Sequence, residues 1–257
     1  MNGQAFSVLT DHRQRYCAAI RQARHEGTEA FQAWFNREAA HTPQQAQVRG
    51  FWDFSVHILT PTVCRLLSRP ENRIALEIGY GGGRLLHAAC HYFQAVIGID
   101  IHAEADAVRD YLHTQGVTNF CLLQTDGAAL ACHDASLDFI YSFIVLQHLP
   151  SFDVLAAYLR EVRRCLRVGG VAQLYVGTFS RLHPLYQLAC FAQGYKETRP
   201  VEANHISLVV RVGRLKQICR ALGLHMVETG TSYFLAPDGY TRRPGGQTYV
   251  TLLNTNL

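Results

Sequence analysis

Arg73-Ile-Ala-Leu-Glu-Ile-Gly-Tyr-Gly-Gly-Gly-Arg-Leu-Leu86 decides how this chain is read. Its first half is apolar and rich in Ile and Leu, the pattern of a buried strand. Gly79, Gly81 and Gly83 follow at alternate positions, with Gly82 between the last two. Leu85, Leu86, Ala88 and Ala89 then recur at helical spacing. A strand that feeds a glycine turn opening a helix is the layout of a nucleotide-type cofactor site. The turn lets a ligand approach the backbone, and the helix start offers unpaired N–H groups. A second apolar run, Ala95–Ile99, ends in Asp100, whose carboxylate is placed to accept the hydroxyl protons of a ribose.

The alternation continues outward. A helix is expected up to about Gln115 with Gly116 as its C-cap, then a third strand over Asn119–Gln124 leading to Asp126, and a fourth over Leu137–Ser142. Ser151 reads as an N-cap with Asp153 in the first turn, and Leu155, Leu159, Val162 and Leu166 as the buried stripe of the helix it opens. Gly169-Gly170 is expected to end that helix, and Val171–Val176 to be strand five. Between Gly177 and His205 no period-two strand is visible. A helix over Val212–Leu222 and strands over Leu224–Thr229 and Gln247–Leu253 complete the chain. Strands alternating with helices at this spacing imply right-handed crossovers and a mainly parallel sheet.

Leu76–Gly83, with Glu77 two residues before the first glycine, and Gly98-Ile-Asp100 resemble the first two motifs of the class I S-adenosylmethionine-dependent methyltransferases. Thr125-Asp126-Gly127, Leu137–Ser142 with Val145–Leu149, and Cys165–Gly170 extend the likeness, which covers roughly residues 72–177. The resemblance implies an α/β, Rossmann-like, doubly wound fold: a seven-stranded sheet, parallel but for its last strand, with helices on both faces. It implies S-adenosylmethionine as cofactor and S-adenosylhomocysteine as product. By this likeness Glu77 and the backbone of Gly79, Tyr80, Gly81 and Gly83 hold the methionine part. Asp100 takes the ribose, Ile101 or His102 lies beside the adenine, and Asp126 with Gly127 meets its amino group. Ser142 and Phe143 lie beneath the amino-acid end. On the bland reading, Asp126 caps a turn and Ser142 ends a strand.

The family adds substrate elements at its N-terminus and after strand five, and both additions are present. Residues 1–72 read as a helical N-terminal extension: helices from Phe6 to Arg24 and Thr28 to Ala40, a segment Phe51–Leu59, and a further turn over Thr62–Leu67. Residues 178–205 form the insertion, and one domain spans 1–257. Trp52, His57, His183 and His205 are the acceptor-side candidates, and His148 is the candidate base where a hydroxyl or ammonium acceptor must lose a proton. Tryptophans in the extension serve either to pin its helices or, in the segment of Trp52, to line a pocket.

At 257 residues and 48% hydrophobic content the chain is long and apolar enough for a full core. No apolar run reaches membrane-spanning length, and the first residues show no secretory signal. Eight scattered cysteines lack metal or redox spacing and read as reduced thiols of a cytoplasmic protein, with no metal expected. A net charge of +4 is too mild to imply nucleic acid, and the arginines at 160, 163, 164 and 167 read as a solvated face. The aromatic, histidine-rich additions suit a small-molecule acceptor. Two other readings stay open at this point: a non-catalytic module that binds the cofactor or a partner, and a nicotinamide-dependent oxidoreductase.

Overall fold

The first apolar run becomes β1 (Ile74–Ile78) at the centre of a sheet, in a computed structural model that describes residues 3–36, 42–179, 192–199, 202–235 and 242–255. It pairs in parallel with β2 (Ala95–Asp100) on one side and β4 (Leu137–Ser142) on the other. β3 (Phe120–Gln124) lies beyond β2, and β5 (Leu166–Gly177) beyond β4, both again parallel. Near the C-terminus β9 (Arg242–Asn254) runs antiparallel to β5, and β8 (Leu224–Leu235) antiparallel to β9. The resulting order, β3-β2-β1-β4-β5-β9-β8, is the expected seven-stranded sheet with one reversed strand.

Helices cover both faces, so the apolar core is split in two. On one face pack α4 (Pro61–Leu67), α5 (Arg84–Cys90) and α6 (Ala105–Thr114), through Val63, Leu86, Val108 and Leu112. On the other pack α7 (Phe152–Cys165) and α8 (Val212–Ala221). The predicted stripe of α7 is fully used: Leu155, Leu159 and Val162 are buried, each contributing roughly 1.5–3 kcal/mol. Ser151 caps α7 as expected, its Oγ accepting from the Val154 N–H at 3.4 Å.

Two local expectations are corrected. α7 stops at Cys165, and Gly169-Gly170 lie instead in an irregularity of β5, where pairing with β4 jumps from Leu166 to Val171. The insertion carries a short strand, β6 (Tyr195–Glu197), paired with β7 (Leu208–Val210); three residues are too few to show a period. These two add to the seven to make a nine-stranded sheet, β7 meeting β5 at Gly177. The arginine face is partly neutralised, as expected of a solvated one: Arg164 of α7 donates to Glu161 and Asp134 at 2.7 Å, and Arg167, at the start of β5, pairs with Asp138 at 3.0 Å.

The N-terminal extension is helical as expected. α1 (Gly3–Glu26) gives way at Gly27, φ +121°, to α2 (Thr28–Asn36). The expected continuation to Ala40 lies outside the described residues. α3 (Pro43–Asp53) begins earlier than the apolar pattern suggested, because Thr42 and Gln45 form a reciprocal capping box. A π turn over Phe54–Ile58 and the Thr60 cap of α4 then return the chain to β1. Among the described residues no helix is long and apolar enough to cross a membrane.

Candidate active site

The strand order reverses between β1 and β4, and at the C-terminal ends of these strands an open α/β sheet has its crevice. Here it is a cavity of about 120 Å³ with a floor of Ile78, Gly79, Gly81, Asp100 and Ile101. Two glycines are required by geometry. Gly79 has φ +77°, and a Cβ on it would stand 2.4 Å from Val145. Gly81 has φ +51°, and a Cβ there would meet the ring of Phe35 at 2.8 Å.

Asp100 is tied to this turn. Its Oδ2 accepts from the Gly81 N–H at 2.8 Å and its Oδ1 from the Ile101 N–H at 2.7 Å. His102 braces the same loop: its Nδ1 accepts from the Glu104 N–H, so Nε2 carries the proton and donates to the Gly81 carbonyl at 3.2 Å. The carboxylate is therefore aimed at the cavity by backbone donors on both sides.

The first two helices form the roof. Leu9, His12, Arg13, Tyr16 and Ile20 of α1 line the cavity, as do Trp34 and Phe35 of α2. Gln32 of α2 donates to the Gly82 carbonyl at 3.1 Å, so the roof is bonded to the glycine turn itself. Burial, helped by Arg15 and His148, holds the His12 imidazole down to about 4, which leaves it neutral at pH 7. Ile144, just past β4, faces the same space with φ +61°, a strained conformation for a β-branched side chain.

Of the residues singled out from the sequence, Gly79, Gly81, Asp100, Ile101, Gly127 and His148 are on the cavity wall. His148 Nδ1 donates to the His205 carbonyl at 2.8 Å, which makes Nε2 the proton-accepting nitrogen, hydrogen-bonded by Gln147 at 3.1 Å. The others stand elsewhere. Glu77 points to the opposite face of β1, by strand alternation, and accepts from the Tyr141 hydroxyl at 3.1 Å. Tyr80 is a core residue edge-on to His102, and Gly83 is the N-cap residue just before α5. Asp126 is exposed and caps its own turn, accepting from the Ala128 and Ala129 N–H groups. Ser142 donates to the Ile78 carbonyl.

Phe143 stacks on His57 at 5.0 Å in an aromatic nest with Trp52 and Tyr175, off the cavity wall. The His205 side chain is exposed, and Asn204 lines the cavity in its place. His183 lies outside the described residues. The wall residues that sequence reasoning missed, Leu9, His12, Arg13, Tyr16 and Ile20, share one helical stripe, and that spacing was the available signal.

Comparison with known proteins fits this geometry. Residues 76–174 match a family described as "Methyltransferase domain". The ubiquinone biosynthesis O-methyltransferase of Burkholderia lata is 28% identical over 187 residues, 71% of this chain and 74% of that protein. A shorter match, 34% identical over 86 residues, is to the MIF-like protein mif-2 of Caenorhabditis elegans and covers 32% of this chain and 70% of that protein. An S-adenosylmethionine-dependent methyltransferase from Clostridium acetobutylicum superposes with a TM-score of 0.57 at 13% identity, over 80% of this chain and 92% of its own. Together, the β1 glycine turn, the acid ending β2, the strand order and these matches identify residues 76–174 as a methyltransferase domain on the class I, S-adenosylmethionine-dependent type of fold.

Proposed function

We propose that the protein methylates a small-molecule acceptor, with the cofactor bound on the floor formed by Gly79, Gly81, Asp100, Ile101 and Gly127. The observation that carries this reading is the closure of that floor by the aromatic roof of α1 and α2. The glycine turn fits the cofactor because its backbone is bare of side chains where the cavity meets it. When bound, S-adenosylmethionine supplies a methyl group on a positively charged sulfur. The chain's own task is to align a nucleophile with that methyl group and keep water out, for which positioning is the main source of rate. Asp100 is placed to take the ribose hydroxyls, and Trp34, Phe35 and Tyr16 to exclude water. The relationship to an O-methyltransferase supports an oxygen nucleophile among the O, N and C classes.

Such an acceptor must lose a proton. Among the described residues two imidazoles face the cavity, and a base near 4 is too weak to help at neutral pH, which favours His148 over His12 as the candidate. The seven described cysteines are free thiols, which supports a cytoplasmic setting. We take residues 1–257 as one domain, with 1–72 and 178–205 as its acceptor-side additions.

Asp100→Ala tests the site. Hydrogen bonds to a charged group contribute roughly 1.5–3 kcal/mol, so affinity for S-adenosylhomocysteine should fall by about ten- to a hundredfold. Calorimetry on the folded variant reads this directly, and unchanged affinity would remove Asp100 from the site. Release of S-adenosylhomocysteine with a panel of small acceptors separates turnover from mere cofactor binding. A melting temperature that rises with NAD and not with S-adenosylhomocysteine would favour the oxidoreductase instead.

A further inference from the structure

A second cavity, about 240 Å³, adjoins the first and shares Phe35, Ile144, His148 and Asn204 with it. Its character differs: Arg49 of α3 and Arg84 of α5 stand in its wall, and among the described residues no acidic side chain lines it. Both arginines pair with a single carboxylate beneath, that of the fully buried Asp53. Arg49 Nε donates to Asp53 Oδ2 at 2.9 Å, and Arg84 Nη1 donates to the same oxygen. The Arg49 guanidinium also lies over the Trp52 ring, 5.4 Å from its centroid, which fixes its plane.

We propose that this cavity binds a carboxylate group of the methyl acceptor, with Arg49 and Arg84 as its ligands, a proposal that rests on the methyltransferase reading of the adjoining cavity. Two guanidiniums less one buried carboxylate leave one unit of positive charge, which matches a monoanion. A dianionic phosphate would instead leave the half-buried cluster net negative. Each arginine spends one N–H donor on Asp53, and the rest of each planar fork suits the two oxygens of a carboxylate. Packing on Trp52 and pairing with Asp53 hold the forks in place before any ligand arrives, which lowers the cost of binding. The wall also takes in Asn204 and Ile206, just ahead of β7, while Gly79 and Gly81 are absent from it. That composition favours the acceptor over the cofactor's own methionine carboxylate as the source of the anion. The four shared side chains then mark the boundary across which the acceptor's nucleophile reaches the methyl group.

The test uses the full chain saturated with S-adenosylhomocysteine, and benzoate, its neutral isostere benzamide, and inorganic phosphate as probes. Benzoate is expected to bind and raise the melting temperature where benzamide does not, and phosphate to compete only at higher concentration. Arg49→Gln should weaken benzoate at least tenfold while affinity for S-adenosylhomocysteine stays within about threefold. Arg49 is the more exposed of the pair; should this variant melt well below the parent, Arg49→Lys keeps the charge, loses the fork, and should still weaken benzoate severalfold. Equal response to benzoate and benzamide, or none to benzoate, overturns the proposal. So does phosphate binding more tightly than benzoate. A variant that loses S-adenosylhomocysteine and keeps benzoate assigns the arginines to the cofactor and overturns it too. Failure of the parent chain to bind S-adenosylhomocysteine would instead count against the cofactor site, a separate and prior result.

Discussion

Gly81→Val is expected to abolish binding of S-adenosylmethionine while leaving the far-ultraviolet circular dichroism close to that of the parent. Two effects act at this position. The residue sits at φ +51°, a left-handed conformation that a β-branched side chain adopts only under strain. Its new Cβ would also lie 2.8 Å from Phe35 Cδ1, closer than side-chain carbons come in folded proteins. The Phe35 ring must shift to make room, and the branch itself would occupy the space in which a ligand meets the turn. The sheet beneath has no need of this residue's side, because β1 ends at Ile78 and α5 starts at Arg84. Calorimetry with S-adenosylhomocysteine checks the result. A variant that binds within tenfold of the parent would show that the turn is not the cradle. Pairing Gly81→Val with Phe35→Ala separates the causes: recovered binding would assign the loss to the roof contact alone.

The same turn shows why half of the site was legible and half was not. Glycines before a helix and an acid ending the next strand follow from what a nucleotide-type ligand demands of a backbone, so Gly79, Gly81 and Asp100 could be placed from order and spacing. The roof obeys no such demand. Tyr16, Trp34 and Phe35 reach the cavity because α1 and α2 fold back over the turn, a long-range event that helical periodicity alone does not aim. Trp52 and His57, which looked equally suited, follow a capping box and a π turn that deliver them to the aromatic nest around Phe143. Asp126 shows the local rule winning, since an Asp followed by a glycine can satisfy its carboxylate on its own turn. Ile144 could not be found from sequence at all, because nothing in a β-branched residue announces a positive φ.

Glu77→Gln is expected to stabilise the protein at neutral and alkaline pH and to leave it unchanged in acid. Burial raises the Glu77 carboxyl to about 8 from an ordinary 4.5; the Tyr141 hydroxyl and Arg84 oppose this, and Asp100 adds to it. The native chain therefore keeps a proton that the unfolded chain releases above pH 4.5. Between pH 4.5 and 8 the folded state binds more protons, so its stability falls as pH rises; above 8 the loss is complete and flat. At 1.36 kcal/mol per unit, the cost at pH 7 is about 3 kcal/mol. A glutamine carries no such penalty, and its amide oxygen can still accept from Tyr141. For a chain of this size that gain corresponds to a rise of roughly 6–12 °C in melting temperature. Melts of both proteins across pH 4 to 9 should diverge with pH and converge below 4.5; parallel curves would show that Glu77 ionises freely in the fold. Because Glu77 lies off the cavity wall, S-adenosylhomocysteine affinity should stay within about threefold. A tenfold loss would mean that this buried acid reaches the methionine end of the cofactor, and that its cost in stability is kept for binding.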